Sequence, residues 1–419
     1  MSEYNLLSDF DPLISDKPLI VYVDIKSPYA FVAKDPTWAL ADELGIEIDW
    51  RPVTLDIPSY LGSAKLDKRG KVAQSNRSAQ QWSGVRYAYM DARRYAAAYG
   101  YALRGTEKIW NTRLIHIAFE WVKRSGQLPL RKFIDAVYPP FWVRELDVED
   151  ERVVLRCIEQ AGVSSEGFLQ WAESVGGAAH DEQQAAIFAA EIYGVPGYVH
   201  AGEYFFGREN LPRLRSLILA QQHGQHEPPA DIANSLPPLV DVVHNATARD
   251  SKAGVFLDMR QAAEEGRLEI IAGINSECAE SDLARITLTR LQELHPGKLR
   301  VCWAELPAKK AGRSSVSTQP VSESSSRGER HRAARLSYEA LDQQRARDLF
   351  VTIATDSAFT IAELETSELS EGPGLTQRLL DNGVKNSFGF VYIDSNDEVH
   401  PFNGRQHLSV LAWALSQLL

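Results

Sequence analysis

The sequence predicts an α/β protein made of two tandem copies of one fold, the first carrying a large helical insert. Three observations carry this reading. An apolar, β-branched run from Leu19 to Asp24 leads into a helix start at Ser27-Pro28 and is followed by the alternating run Ile46 to Trp50. From about Ser83 to Ala190 strand-like spacing gives way to helical spacing. The same order of signals then recurs after residue 239. At roughly 100–200 residues per domain, 419 residues with 44% apolar content supply two to four cores.

Leu19-Ile-Val-Tyr-Val-Asp24 has the continuous apolar character of a strand buried on both faces. Ser27 then Pro28 suit an N-cap and first helical position, because Ser Oγ accepts an orphan N–H and Pro has none to satisfy. That helix runs to Leu44, Gly45 closes it, and Ile46-Glu-Ile-Asp-Trp50 alternates as a second strand, giving a β-α-β unit with a parallel pair. In the insert, Tyr87, Met90 and Tyr95, then Leu114 to Val122, then Phe133, Val137 and Trp142 form helical stripes. Strand character returns at Tyr193 to Gly207, with Ala201-Gly202 as a two-residue hairpin turn, and Leu211 to Gln221 closes the unit as a helix.

These signals give a first domain over 1–221, a polar, Pro-rich linker over 222–238, and a second domain over 239–419. In the second, Leu268 to Gly273 repeats the first strand, and Ile274-Asn-Ser-Glu-Cys-Ala279 overlies Ile25-Lys-Ser-Pro-Tyr-Ala30, with Ser276 under Ser27. Ser387-Phe-Gly-Phe-Val391 echoes Val195-Pro-Gly-Tyr-Val199, so Phe388 takes the place of Pro196. The stretch from about 308 to 334, rich in Ser, Lys and Arg, cannot repay its ordering entropy and is expected to be disordered.

The charge balance, 45 Lys+Arg against 56 Asp+Glu, repels phosphate backbones and anionic lipid, so neither nucleic acid nor a membrane is expected as a partner. The start has no basic and apolar leader pattern, and Cys157, Cys278 and Cys302 are few and widely spaced; a reducing, cytoplasmic location without disulfides or a structural metal is expected. No G-x-S-x-G, Walker, H-E-x-x-H or G-x-G-x-x-G motif occurs.

Candidate chemistry gathers at two places. At Ser27 a hydroxyl and the helix dipole converge, which suits an anion such as a thiolate and equally suits an ordinary cap. Gly194-Val195-Pro196-Gly197 precedes a strand, where a cis-proline leaves backbone groups for an extended ligand and a trans one makes a plain loop. Gly207-Arg208-Glu209-Asn210 opens the last helix with N–H groups and a guanidinium. His116, on an apolar helix, reads as a partnered interior residue; His180 and His200 show no ligand spacing; Asn111-Thr112 suits the cap of the next helix.

Asp24-Ile-Lys-Ser-Pro-Tyr29, Arg51-Pro52, Tyr87 through Asp91 to Arg94 and Gly100, Gly194-Val-Pro196 and Phe205-Phe-Gly207 together resemble the 2-hydroxychromene-2-carboxylate isomerase and kappa-class glutathione transferase family, over about residues 18–221. The resemblance implies a DsbA-like thioredoxin fold in each copy, the second degenerate. It implies glutathione as cofactor, its thiolate held at Ser27 beside Pro28 and Tyr29, its backbone at Val195 before Pro196, its γ-glutamyl end at Arg208 and Glu209, and Asn76 as the loop asparagine. The family commonly has Ser or Gln then Asp where this chain has Arg208-Glu209. The implied activity is isomerisation of a small aromatic or unsaturated substrate; a transferase, or a non-catalytic thioredoxin-fold binding module, uses the same frame. Trp82, Tyr87, Trp110 and Trp142 are candidates for the substrate pocket, though core packing is the commoner role of such residues. A homodimer is left open.

Overall fold

The computed structural model describes residues 10–67, 69, 71–224, 254–275, 278–307, 326–356, 374–384, 388–404 and 407–415. The described residues divide into two units, one drawn from Met1–Gly224 and Val321–Arg335, the other from Gln225–Pro320 and Leu336–Leu419. No described helix is long and apolar enough to cross a membrane.

In the first unit, β1 (Leu19–Val23) is buried along its whole length. Helix α1 (Pro28–Leu44) follows and ends at Gly45, whose φ of 62° is the left-handed conformation that a residue without a Cβ adopts freely. Strand β2 (Ile48–Pro52) returns parallel to β1, pairing Val21 with Trp50. The hairpin of β3 (Ala64–Leu66) and β4 (Val72–Ser75) comes next, after the short helix α2 (Ile57–Leu61). The insert consists of α3 (Ala79–Ala98), α4 (Arg113–Lys123), α5 (Gln127–Trp142), α6 (Glu151–Gln160), α7 (Phe168–Ala172) and α8 (Val175–Ala189). Strands β5 (Gly197–His200) and β6 (Glu203–Phe206) form the expected hairpin about Ala201-Gly202, and the sheet order is β2-β1-β5-β6. Helix α9 (Leu211–Gln222) closes the unit.

Helix α3 begins four residues before the start expected at Ser83, because Ser78 and Gln81 make a reciprocal capping box. The insert is tied to α1 by aromatic packing: Phe31 stacks on Tyr138 at 5.7 Å and on Trp142 at 6.1 Å, all fully buried. Truncating Phe31 to Ala would cost about 3–5 kcal/mol and loosen the helix that carries Ser27. Trp142 is therefore core, not pocket wall.

The second unit holds α10 (Gly254–Glu264), β7 (Leu268–Ile274), α11 (Ala279–Leu294), β8 (Leu299–Glu305), α12 (Arg327–Asp356), α13 (Leu375–Asp381), β9 (Phe388–Ile393), β10 (Val399–Asn403) and α14 (Leu408–Leu415), with the first turns of α12 grouped in the first unit. Its sheet order is β10-β9-β7-β8, with β7 and β8 parallel and the other pairs antiparallel. This repeats the order and directions of the first sheet. Ile271, Ala304, Leu306, Leu379, Val384 and Val391 close its core.

One expectation is corrected. The stretch expected to be disordered reaches residue 334, yet α12 already runs from Arg327. The cause is local: Ser326 Oγ accepts from the Glu329 N–H at 3.3 Å, and the Glu329 carboxylate accepts from the Ser326 N–H at 2.8 Å. This capping box nucleates a helix that low hydrophobicity alone did not suggest. Residues 308–325, and 225–253 with most of the expected linker, lie outside the described residues, as do Ser276 and Glu277.

Candidate functional site

Ser27 lies where β1 turns into α1. The turn is closed by the Ser27 N–H donating to Asp24 O at 2.9 Å. Ser27 occupies the N-cap position, with Oγ accepting from the Ala30 N–H at 3.2 Å and Pro28 in the first turn. Its hydroxyl then has one proton to give, and the acceptor within reach is Val195 O at 3.4 Å. The Val195–Pro196 peptide is cis. Gly207 N–H donates to Pro196 O at 2.9 Å, which brings the β6 exit alongside the same turn. Ser27 is thus the helix cap, and its hydroxyl also faces the Val195 backbone. No acidic residue stands in the first turn of α1 to oppose an anion there.

Beneath this turn lies a buried polar cluster. Asp24 is fully buried and accepts from the Lys26 N–H at 3.2 Å, the Leu55 N–H at 2.8 Å and Thr112 Oγ1 at 2.9 Å. Lys26 Nζ pairs with Asp24 at 3.1 Å and donates to Thr112 at 3.0 Å. Burial pushes the Asp24 carboxyl upward, but Lys26, His116 and the Leu55 N–H together outweigh it and hold the group well below the usual carboxylate range. Thr112 is the N-cap residue of α4 but makes no cap hydrogen bond, because its hydroxyl is turned to Asp24; Asn111 Oδ1 accepts from the Arg113 N–H instead, at 3.0 Å. His116 is the partnered interior residue expected: Nε2 lies 3.3 Å from Asp24, and Nδ1 lies 2.8 Å from Thr54 Oγ1. Burial lowers its pKa against the pull of Asp24.

The remaining expected site residues are placed unevenly. Tyr29 is half-buried, its hydroxyl 3.4 Å from Asp91, and burial followed by the Asp91 charge raises its pKa well above the usual value. Arg208 and Glu209 form the short 3-10 turn Arg208–Asn210 after Gly207, and the Arg208 guanidinium lies 3.4 Å over the Tyr95 ring. This stacking holds the arginine against the aromatic face of α3. Asn76 is exposed beyond β4 and its Oδ1 accepts from the Ser63 N–H at 2.6 Å; the structure gives it a turn-closing role and does not join it to Ser27.

A cavity of ≈ 480 Å³ opens in the first unit, lined by Thr54, His180, Gln184, Phe188, Ile192 and Tyr193 among others. Ile192 and Tyr193 lead directly into the Val195-Pro196 turn. None of Trp82, Tyr87, Trp110 and Trp142 lines this cavity; the aromatic wall comes from Phe188 and Tyr193. Sequence reasoning missed Thr54 and set His180 aside for want of ligand spacing, since the cluster joins three distant segments and no spacing marks it. Asp24 and Lys26 stood inside the quoted motif without a role. In the second unit, Cys278 occupies the N-cap position of α11 without a cap hydrogen bond, and Cys302 lies on β8 beside Glu269 at 3.6 Å. Asp394, Glu398 and His400 stand within 4.8 Å of one another, and Asp394 accepts from the Asn396 and Glu398 N–H groups of the β9–β10 turn.

Against this geometry, a model of the DSBA-like thioredoxin domain matches residues 18–219. A 2-hydroxychromene-2-carboxylate isomerase of Sphingobium xenophagum is 25% identical over 208 residues, covering 48% of this chain and 98% of the relative. One of Pseudomonas putida is 24% identical over 198 residues, covering 47% and 92%. Among solved structures, a 2-hydroxychromene-2-carboxylate isomerase aligns with TM-score 0.39 and 21% identity over 49% of this chain and 97% of the other. A probable DsbA oxidoreductase from Streptomyces coelicolor aligns with TM-score 0.38 and 22% identity over 51% and 92%.

Proposed function

We propose that this chain, whose residues 18–219 belong to the DsbA-like thioredoxin family, is a glutathione-dependent isomerase of a small aromatic or α,β-unsaturated substrate. The observation that carries the reading is the meeting of the Ser27 hydroxyl, the N-terminus of the 17-residue helix α1 and the Val195 backbone at one point. Two curated relatives named as isomerases align across nearly their whole lengths.

The donor set suits a thiolate. A hydroxyl and first-turn N–H groups offer hydrogen, and the helix dipole favours negative charge. Ser27 would hold the sulfur by rotating its proton from Val195 O to the anion. The backbone of Val195 would pair with the peptide portion, and Arg208 and Glu209 would hold the γ-glutamyl end. When bound, glutathione supplies the nucleophile that converts a double bond into a rotatable single bond and then leaves. The chain's own part is to keep that sulfur deprotonated and to position the electrophile. The cavity beside Tyr193, with its aromatic wall, is the place this reading gives the electrophile. The second unit, in this reading, is a degenerate second copy, supported by its matching strand order.

Calorimetry with glutathione, followed by a cis-configured conjugated aromatic carboxylate, tests the proposal. One glutathione per chain and a catalysed cis-to-trans change, both depending on the Val195-Pro196 turn, are expected. No glutathione binding would overturn it, and a stable thioether as product would make the protein a transferase.

A further inference from the structure

The first turns of α12 belong to the first unit, although they follow β8 in the sequence. Residues 326–335 read Ser-Arg-Gly-Glu-Arg-His-Arg-Ala-Ala-Arg, with two alanines and no larger apolar side chain. Such a stretch has no core of its own to bury. Its first turn is built locally by the capping box of Ser326 and Glu329. Ala334 is buried, His331 and Ala333 are half-buried, and Glu329, Arg330, Arg332 and Arg335 are exposed. Few buried apolar contacts and exposed surroundings mark a segment that opens at low free energy.

The surface that receives this segment is, by contrast, firmly held. The His331 ring lies flat on Tyr60, with centroids 4.0 Å and planes 18° apart, and meets Tyr193 edge-on at 5.9 Å and 76°. Tyr60, at the end of α2, is anchored through its carbonyl, which accepts from Gln81 Nε2 at 3.2 Å. Tyr193 is 5% exposed and packs on Phe206 at 5.1 Å and on Tyr204 at 6.1 Å. The Tyr204 hydroxyl donates to Gly194 O at 2.9 Å, and a Cβ at Gly194 would stand 2.5 Å from the Phe206 ring. The two tyrosines thus form a fixed notch, and His331 is a lightly held key. Arg330, His331 and Ala334 line the ≈ 480 Å³ cavity together with Tyr193, so the docked segment is one of its walls.

We propose that the surface formed by Tyr60 and Tyr193 is the docking site for residues 326–335, and that this docking is a reversible closure of the cavity, keyed by His331. A permanent wall is built from large apolar side chains, and this stretch carries none. The partner of the notch is therefore a segment of the same chain, held by aromatic contact and released to admit a ligand. Tyr193 ties the closure to the candidate site, since it stands two residues before the Val195-Pro196 turn that faces Ser27. The inference goes beyond the isomerase reading and does not rest on it. Its test uses no glutathione, so failure of either leaves the other standing.

Hydrogen–deuterium exchange of the full chain, followed in peptides spanning 326–335, reads the docking. Tyr60→Ala removes one aromatic contact and should speed exchange there about 2- to 12-fold, the worth of one aromatic pair. His331→Ala removes both contacts and should speed it further, even though alanine is the better helix former and local helix strength acts the other way. Arg332→Ala, at an exposed position, should match the parent. Access is read by a thiol placed on the cavity wall as Phe188→Cys. Its reaction with N-ethylmaleimide should quicken by a similar factor when His331→Ala is added, and should not change with Arg332→Ala. Exchange in 326–335 that neither Tyr60→Ala nor His331→Ala alters would overturn the docking. Faster exchange with an unchanged thiol rate would overturn the closure. The two variants address the contact from opposite sides, so if one fails to fold the other decides.

Discussion

Ser27 and Val195, 168 residues apart in the chain, meet with the serine hydroxyl 3.4 Å from the valine carbonyl oxygen. A helix cap is built by local sequence, whereas this approach requires β1 and β5 to pair, which they do through Val21 and Tyr198. Capping and chemistry at Ser27 therefore separate by substitution. Ser27→Asp retains an N-cap of equal quality but places a carboxylate where a thiolate would sit. We predict unfolding stability within about 1 kcal/mol of the parent and loss of turnover; an active Ser27→Asp enzyme would show that Ser27 is only a cap.

Removing the hydroxyl altogether has a graded effect. Ser27→Ala should cost about 0.5–2 kcal/mol in denaturant unfolding through the lost cap. It should also slow turnover about 10- to 150-fold through a lost charge-assisted hydrogen bond. Unchanged turnover with reduced stability would assign Ser27 to the fold alone.

Asp24 holds a buried cation, Lys26, and accepts from the Thr112 hydroxyl at once. Asp24→Asn leaves Lys26 buried without its counter-charge, and breaking such a pair should cost about 3–5 kcal/mol. A urea unfolding curve measures this directly. A loss below about 1 kcal/mol would mean that Lys26 reaches water without cost.

The pH dependence of stability has a definite sign. The folded pKa of His180 is lowered to about 3, so the unfolded chain takes up its proton first as pH falls. Stability from this group is complete above the unfolded value near ~6.5 and declines by about 1.4 kcal/mol per pH unit below it, until the folded pKa is reached. Asp24, whose folded pKa is depressed, adds stability that is present above about pH 4 and is lost further down. Unfolding midpoints between pH 7.5 and pH 4.5 should therefore fall in the parent and fall less in His180→Gln. Parallel curves would contradict the placement of His180 as a buried neutral ring.

The three thiols should differ sharply in reactivity. Cys157 is buried, with burial lifting its pKa to about 11, and Cys278 is buried at the start of α11. Cys302 is half-buried, with burial and then Glu269 raising its pKa. A thiol reagent at mildly alkaline pH should modify Cys302 slowly and the other two only in denaturant. Rapid modification of Cys278 would reveal an activated thiol there.

Much of the frame was legible because it rests on local signals. Ser27-Pro28 announces α1, Gly45 ends it, and Ala201-Gly202 takes the positive φ values, 49° and 80°, of a tight hairpin. The capping boxes at Ser78 and Ser326 were equally local and were passed over in favour of hydrophobic spacing and composition. The cavity was not legible. Thr54 follows β2, His116 lies on α4 and His180 on α8, and no periodicity relates three residues that meet only after the insert packs on the sheet. Trp142, weighed as pocket wall with core packing as its commoner role, is core, stacked on Phe31.

The central claim is that the Ser27 and Val195 turn holds glutathione as its thiolate. The most direct measurement is the ultraviolet thiolate absorbance of protein-bound glutathione as a function of pH, in the parent and in Ser27→Ala. The account predicts a bound thiol titrating clearly below the ordinary value near ~8.5, moving back toward that value in the variant. A bound thiol that titrates as in solution, or an equal depression in both proteins, would contradict it.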